Sequence, residues 1–163
     1  MLQVAIRVSM FLVSWLSVFF LPNKKKLFIK YLPVSLFSSM TLIFQIFYFT
    51  VHKFWEVKGG QKNMIHTAFL LIFGPYLILN IWFFHLSKGK FLLYSLINIV
   101  ADFIYAFPIL ALFKKINVFK IKIKSGYFFM LILADAFLNY GFQKLFDKIH
   151  PHIESKTKFF PKV

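Results

Sequence analysis

The chain has no cysteine, which excludes disulfides, thiolate nucleophiles, cysteine-based zinc sites and iron–sulfur clusters together. Acid is almost as scarce. Five Asp and Glu stand against 20 Lys and Arg, and charged residues make up 15% of the sequence, where an ordinary soluble domain carries about 25%. Glycine and proline number six each; no Gly/Ser- or Pro-rich linker and no fixed-period repeat divides the chain, so one domain is expected. Also missing are a Gly-rich phosphate loop, a G-x-S-x-G elbow, an H-E-x-x-H pair and a Ser/His/Asp set. Nothing points to an enzyme, a cofactor or a metal.

What fills the space is apolar. Of 163 residues, 60% are hydrophobic and 25 are phenylalanine. A soluble globule of this length leaves about a third of its unfolded surface exposed and could not hide so much. Disordered chains, by contrast, are poor in aromatics. Five stretches approach the roughly 20 apolar residues that a helix needs to cross a bilayer core: about 4–21, 31–51, 66–86, 91–113 and 126–143. None alternates polar and apolar residues as a membrane β-strand does, so the backbone must be satisfied within helices. The expected fold is all-α, a polytopic transmembrane bundle over residues 1–146 with a basic polar tail at 147–163. The first stretch has a single charge, Arg7, and no A-x-A site before Lys24, and reads as a retained anchor helix rather than a cleaved signal peptide.

Lysines punctuate the boundaries of these stretches: Lys24–Lys26 and Lys30, then Lys53, Lys58 and Lys62, then Lys88 and Lys90, then Lys114 to Lys124, then the tail. A nucleic-acid reader gathers its basic residues on one face, whereas boundary lysines set topology and meet lipid headgroups. No nucleic-acid partner is expected. The two sides carry nearly equal basic charge, but the Lys24-Lys25-Lys26 cluster directly follows the first span. Because early determinants usually dominate, that cluster favours the first loop and the carboxy terminus in the cytoplasm of a cell membrane, and the amino terminus outside.

Two of the five acids, Asp102 and Asp135, fall in the middle of spans. A carboxyl at the bilayer centre costs roughly 2.5–3.5 kcal/mol on insertion scales, which makes such residues functional candidates. Each has an amide four residues away on the same helix face, Asn98 with Asp102 and Asn139 with Asp135. Neighbouring antiparallel helices put both acids at similar depth, so the two could meet. Two carboxyls at close range cannot both ionise cheaply, so one or both would hold a proton. Two roles stay open: interhelical hydrogen bonding that holds the bundle together, and a proton-relay or cation site. Tyr105, Tyr140 and Gln143 could extend either one. Gln45 and Asn80 read as isolated packing amides.

Three other features bear on function. The segment Val118-Phe119-Lys120-Ile121-Lys122-Ile123-Lys124 alternates strictly. If extended at the membrane interface, it would set Lys120, Lys122 and Lys124 against anionic lipid and turn Phe119, Ile121 and Ile123 to the other side; the alternative is an ordinary short loop. Of the five histidines, His52 and His66 flank one loop, His150 and His152 lie close together in the tail, and His85 stands apart at a span end; two imidazoles are too few for the usual three- or four-ligand site. Gly74-Pro75 and Pro108 lie within spans and should each open a local kink, because proline removes a helix hydrogen bond.

A short first helix followed by basic residues leads to Tyr31-Leu32-Pro33 opening the second helix. Phe54-Trp55-Glu56 follows an aromatic-rich helix end, and His66-Thr67 opens the third helix before lysines and two more spans. In this order of features, over most of residues 1–146, the chain resembles an uncharacterised family of small multi-pass membrane proteins from Bacillus-like, spore-forming bacteria. That resemblance implies a five-helix topology and no particular chemistry. The function expected is that of a small non-enzymatic membrane protein acting through contacts with lipid, with a membrane partner or with a second copy. The alternative is a small transporter or ion- or proton-conducting subunit using Asp102 and Asp135.

Overall fold

A computed structural model of the chain describes residues 2–150. It holds five helices: α1 Leu2–Ser17, continued by a 3₁₀ turn Val18–Phe20; α2 Lys24–Val51; α3 Gly60–Ser87 and α4 Phe91–Lys115; and α5 Ser125–Ile149. Two short strands, β1 Trp55–Glu56 and β2 Lys120–Ile121, join the α2–α3 and α4–α5 connections as an antiparallel ribbon, with Trp55 opposite Ile121 and Glu56 opposite Lys120. The all-α reading holds. The first four helices are each long and apolar enough to cross a membrane. The fifth is 25 residues long but less apolar, because Asp135, Asn139, Gln143 and Asp147 lie along it.

The helices overrun the apolar stretches. Lys24, Lys25, Lys26 and Lys30, expected in a loop, form the first two turns of α2. Lysine lowers hydropathy without lowering helix propensity, and Asn23, at φ 46°, makes the left-handed turn from which α2 starts. Tyr31-Leu32-Pro33 therefore lies inside α2 instead of opening it, and His66-Thr67 lies inside α3, which begins at Gly60. Likewise α5 runs to Ile149, past the expected start of the tail. The rest of that tail lies outside the described residues.

The expected kinks take the form of π turns. Ile72–Tyr76 in α3 and Tyr105–Ile109 in α4 are five-residue π segments, each with proline in its fourth position. An α pattern would send the Leu77 N–H to the Phe73 carbonyl. It goes instead to Gly74 and Ile72, and the Trp15 indole of α1 donates to the Phe73 oxygen at 3.0 Å. A neighbouring helix thus takes up the carbonyl that the turn leaves over. Gly74 makes the approach possible, since a Cβ there would meet the Phe11 backbone at 3.0 Å.

Apolar packing gathers at the two ends. At the end where α1–α2 and α3–α4 turn, Leu21, Tyr31, Val34, Ile78, Ile81, Phe84 and Tyr94 form one buried cluster, with Phe84 stacked on Tyr94 at 4.5 Å and on Tyr31 at 5.5 Å. At the ribbon end Trp55, Val57, Phe113, Val118 and Phe119 form the other. Beneath it Arg7, 4% exposed, donates from Nη2 to the Val118 carbonyl at 2.7 Å, which ties α1 to the α4–α5 connection. The outward surface is strongly apolar: Leu92, Phe20, Phe19 and Phe47 are 82, 79, 69 and 69% exposed. Buried polar residues lie between the two clusters.

Candidate functional site

The polar layer is built by α2, α3, α4 and α5. Ser35, Ser38 and Ser39 give α2 a small, buried face, and small residues let helix backbones come close. Ser38 is the hub. Its Oγ donates to the Tyr76 hydroxyl at 2.9 Å and accepts from Asn80 Nδ2 at 3.2 Å and from Asn139 Nδ2 at 2.7 Å. A serine hydroxyl has one donor and two acceptor lone pairs, and here all three are used, by residues of α3 and α5. Asn80 also donates to the Tyr76 carbonyl of its own helix at 3.1 Å.

One turn along α5 from Asn139, Asp135 is 7% exposed. Both of its oxygens accept from Gln45 Nε2 of α2, at 2.7 and 2.8 Å. The expected same-helix pairing does not occur: Asn139 turns to Ser38, and Asn98 donates to the Tyr94 carbonyl at 2.8 Å instead of to Asp102. Asn98 and Asn139 are nevertheless both buried in this layer. Gln45 and Asn80, read from the sequence as isolated packing amides, are central to the network. Ser38 and Tyr76 carried no signal beyond a Ser-x-x-Ser-Ser run in an apolar helix and a tyrosine after Gly-Pro.

Asp102 of α4 has a different setting. It belongs to the same polar layer as Asp135, within electrostatic range of it. Its Oδ2 is buried and accepts no hydrogen bond. The hydroxyls of Tyr94 and Ser95, on the same helix, are also buried without a partner, as are Ser35 and Ser39 Oγ on α2 and the side-chain carbonyl oxygens of Asn139 and Gln143 on α5. Unpaired polar atoms in such numbers are unusual in a packed interior. Of the expected extensions, Tyr140 donates to the Gly89 carbonyl at 2.9 Å and Gln143 Nε2 to Asp147 Oδ1 at 2.7 Å. Tyr105 packs against the Phe128 ring.

The lysine segment forms one side of the two-stranded ribbon. Its alternation survives, with Lys120, Lys122 and Lys124 exposed and Ile121 and Ile123 half-buried. Phe119, however, is 3% exposed and packs on Trp55 and Phe113 within the protein. Lys122 lies 3.1 Å from Glu56 across the ribbon, so its charge is shared with the protein. His52 packs against Tyr48 and Phe54, and no group of three metal-ligating side chains forms among the described residues. His152 lies outside them. A comparison of the chain with protein-family models, with curated proteins and with solved structures found no match.

Proposed function

We propose that this chain is a five-helix integral membrane protein of the cell membrane, without enzymatic activity, that acts through contacts with lipid and with a membrane partner or a second copy. The observation that carries the reading is the inverted distribution of polarity. Leu92 and Phe20 are about four-fifths exposed while Ser38, Asn139 and Asp135 are buried; water would penalise that arrangement and hydrocarbon rewards it. The same argument supports a fifth span. The polar side of α5 faces its neighbours, while Tyr127, Met130, Leu138 and Leu145 point outward. In this reading the chain sits beside the small membrane proteins of spore-forming bacteria that it resembles.

The test is membrane extraction followed by topology. The protein should stay with the membrane pellet through an alkaline carbonate wash; release into the supernatant defeats the proposal. Reporter fusions after Lys62, Lys90 and Lys124 should report outside, cytoplasm and outside. An external signal at residue 90 inverts the orientation. Anionic lipid should bind at Lys120 and Lys124, read as a loss of vesicle affinity in the Lys120→Gln/Lys124→Gln variant.

One observation favours a second reading, a proton- or ion-conducting subunit. Asp102 and Asp135 share the polar layer without a salt bridge to either among the described residues, and Asp102 Oδ2 has no donor there. Asp102→Asn and Asp135→Asn keep hydrogen-bonding capacity and remove protonation. If both variants match the parent in flux and growth, this reading is dead.

A further inference from the structure

Four polar residues of α5 fall at intervals of four: Asp135, Asn139, Gln143 and Asp147. Since α5 is helical to Ile149, that spacing sets them in one slowly coiling row, each about 6 Å above the last and turned about 40° from it. The stripe reaches from the half-buried Asp147, near the helix end, to Asp135 at mid-bundle. Asp135, Asn139 and Gln143 are all more than nine-tenths buried. Their amide nitrogens are engaged, Asn139 with Ser38 and Gln143 with Asp147. Their carbonyl oxygens, Asn139 Oδ1 and Gln143 Oε1, accept from no group among the described residues. Two unfilled acceptors therefore lie in a row between two carboxyls.

Toward the ribbon the face changes. Its next positions are Leu131 and Phe128, and beyond them Phe113, Val118 and Phe119 close the end. Along α5 the polar positions thus run toward the tail end and the apolar ones toward the ribbon.

We propose that the α5 stripe is a one-sided proton entry, a short file of water connecting the tail end of the bundle to the Asp102–Asp135 pair. Buried acceptors without donors are what bound water satisfies, each molecule needing two to four polar partners. A proton arriving at Asp147 passes from water to water, each accepting one proton and releasing another, and the last is taken up by a carboxylate of the pair. Among the described residues the titratable groups that act on that pair are Tyr76 on α3 and Tyr94 on α4. From α2 the neutral Gln45 holds Asp135 in place. The proposal rests on the second reading above, that the pair holds a proton.

Infrared spectroscopy of the full chain in lipid nanodiscs, transferred from H₂O to D₂O, tests both levels separately. The parent should show a protonated-carboxyl band that disappears in the Asp102→Asn/Asp135→Asn variant. Absence of such a band overturns the pair and the route together. Given the band, its deuterium shift should slow by roughly tenfold in Gln143→Met, which keeps the volume and removes the polar partners of water. A smaller slowing is expected in Asp147→Leu, at the half-exposed mouth where packing is least at stake. Parental exchange rates in both variants overturn the route while leaving the pair intact. Exchange that speeds up in Phe119→Ser and ignores Asp147→Leu would place the entry at the ribbon end, and likewise overturns it.

Discussion

Ser38 and Asp102 belong to the same polar layer and sit in opposite conditions. The serine has three hydrogen bonds for three possibilities, reaching Tyr76, Asn80 and Asn139 on two other helices. The aspartate has an oxygen with none, on a helix whose Tyr94 and Ser95 hydroxyls are also unpaired. A satisfied group fixes the helices that it joins, whereas an orphaned one carries its desolvation cost with no return in structure. The α2–α3–α5 side therefore explains how the bundle is held. On the α4 side the unpaired oxygen of Asp102 and the Tyr94 and Ser95 hydroxyls add no such tie between helices.

The sharpest way to break this contrast is to remove each acid in turn. Asp135→Leu strands the Gln45 amide in the interior and should lower stability in detergent unfolding by about 2–3 kcal/mol. Asp102→Leu removes a carboxyl with an unpaired oxygen and should be neutral or stabilising on the same scale. Equal losses in the two variants would erase the distinction. Ser38→Ala comes next, since it cuts three bonds at once and should cost about 1–3 kcal/mol. Ser35→Ala and Ser39→Ala remove hydroxyls without partners and should shift the unfolding midpoint little. Trp15→Phe lies outside the layer and frees only the Phe73 carbonyl, with an expected cost of about 1 kcal/mol. Glu56→Gln is the smallest, well under about 1 kcal/mol, because its bridge to Lys122 is largely exposed. High salt should mask that effect.

The helical class and the apolar stretches were legible in the sequence because hydrophobic length is a local property. Helix ends were less so: the lysines before Tyr31 interrupt an apolar run yet continue the helix. The alternation of residues 118–124 pointed to an extended segment, but its partner is only Trp55-Glu56, too short to announce itself. Asp102, Asp135, Asn98 and Asn139 stood out by their rarity in such surroundings, and all four do lie in the polar layer. Their hydrogen-bond partners could not be found in the same way. Pairing four residues apart is visible within one helix, whereas the Asp135–Gln45 contact spans 90 positions and depends on how two helices turn toward each other. Ser38 was missed for a related reason. A serine in an apolar helix commonly bonds its own backbone, and nothing local reveals three partners elsewhere.

The two π turns have a consequence for how α3 and α4 can tolerate change. Each turn inserts one extra residue, and in an α-helix one residue is worth about 100° of rotation. The halves on either side are keyed to different neighbours: in α3 the first half and the turn pack on α1, while Leu77–Ser87 packs on α2 and α4. Deleting a single residue within Ile72–Tyr76 would straighten the helix and turn every later side chain by that angle. Asn80, Ile81 and Phe84 would then lose their places together. A missing residue here should do more harm than any single replacement, because it alters the orientation of a whole half-helix and not one contact.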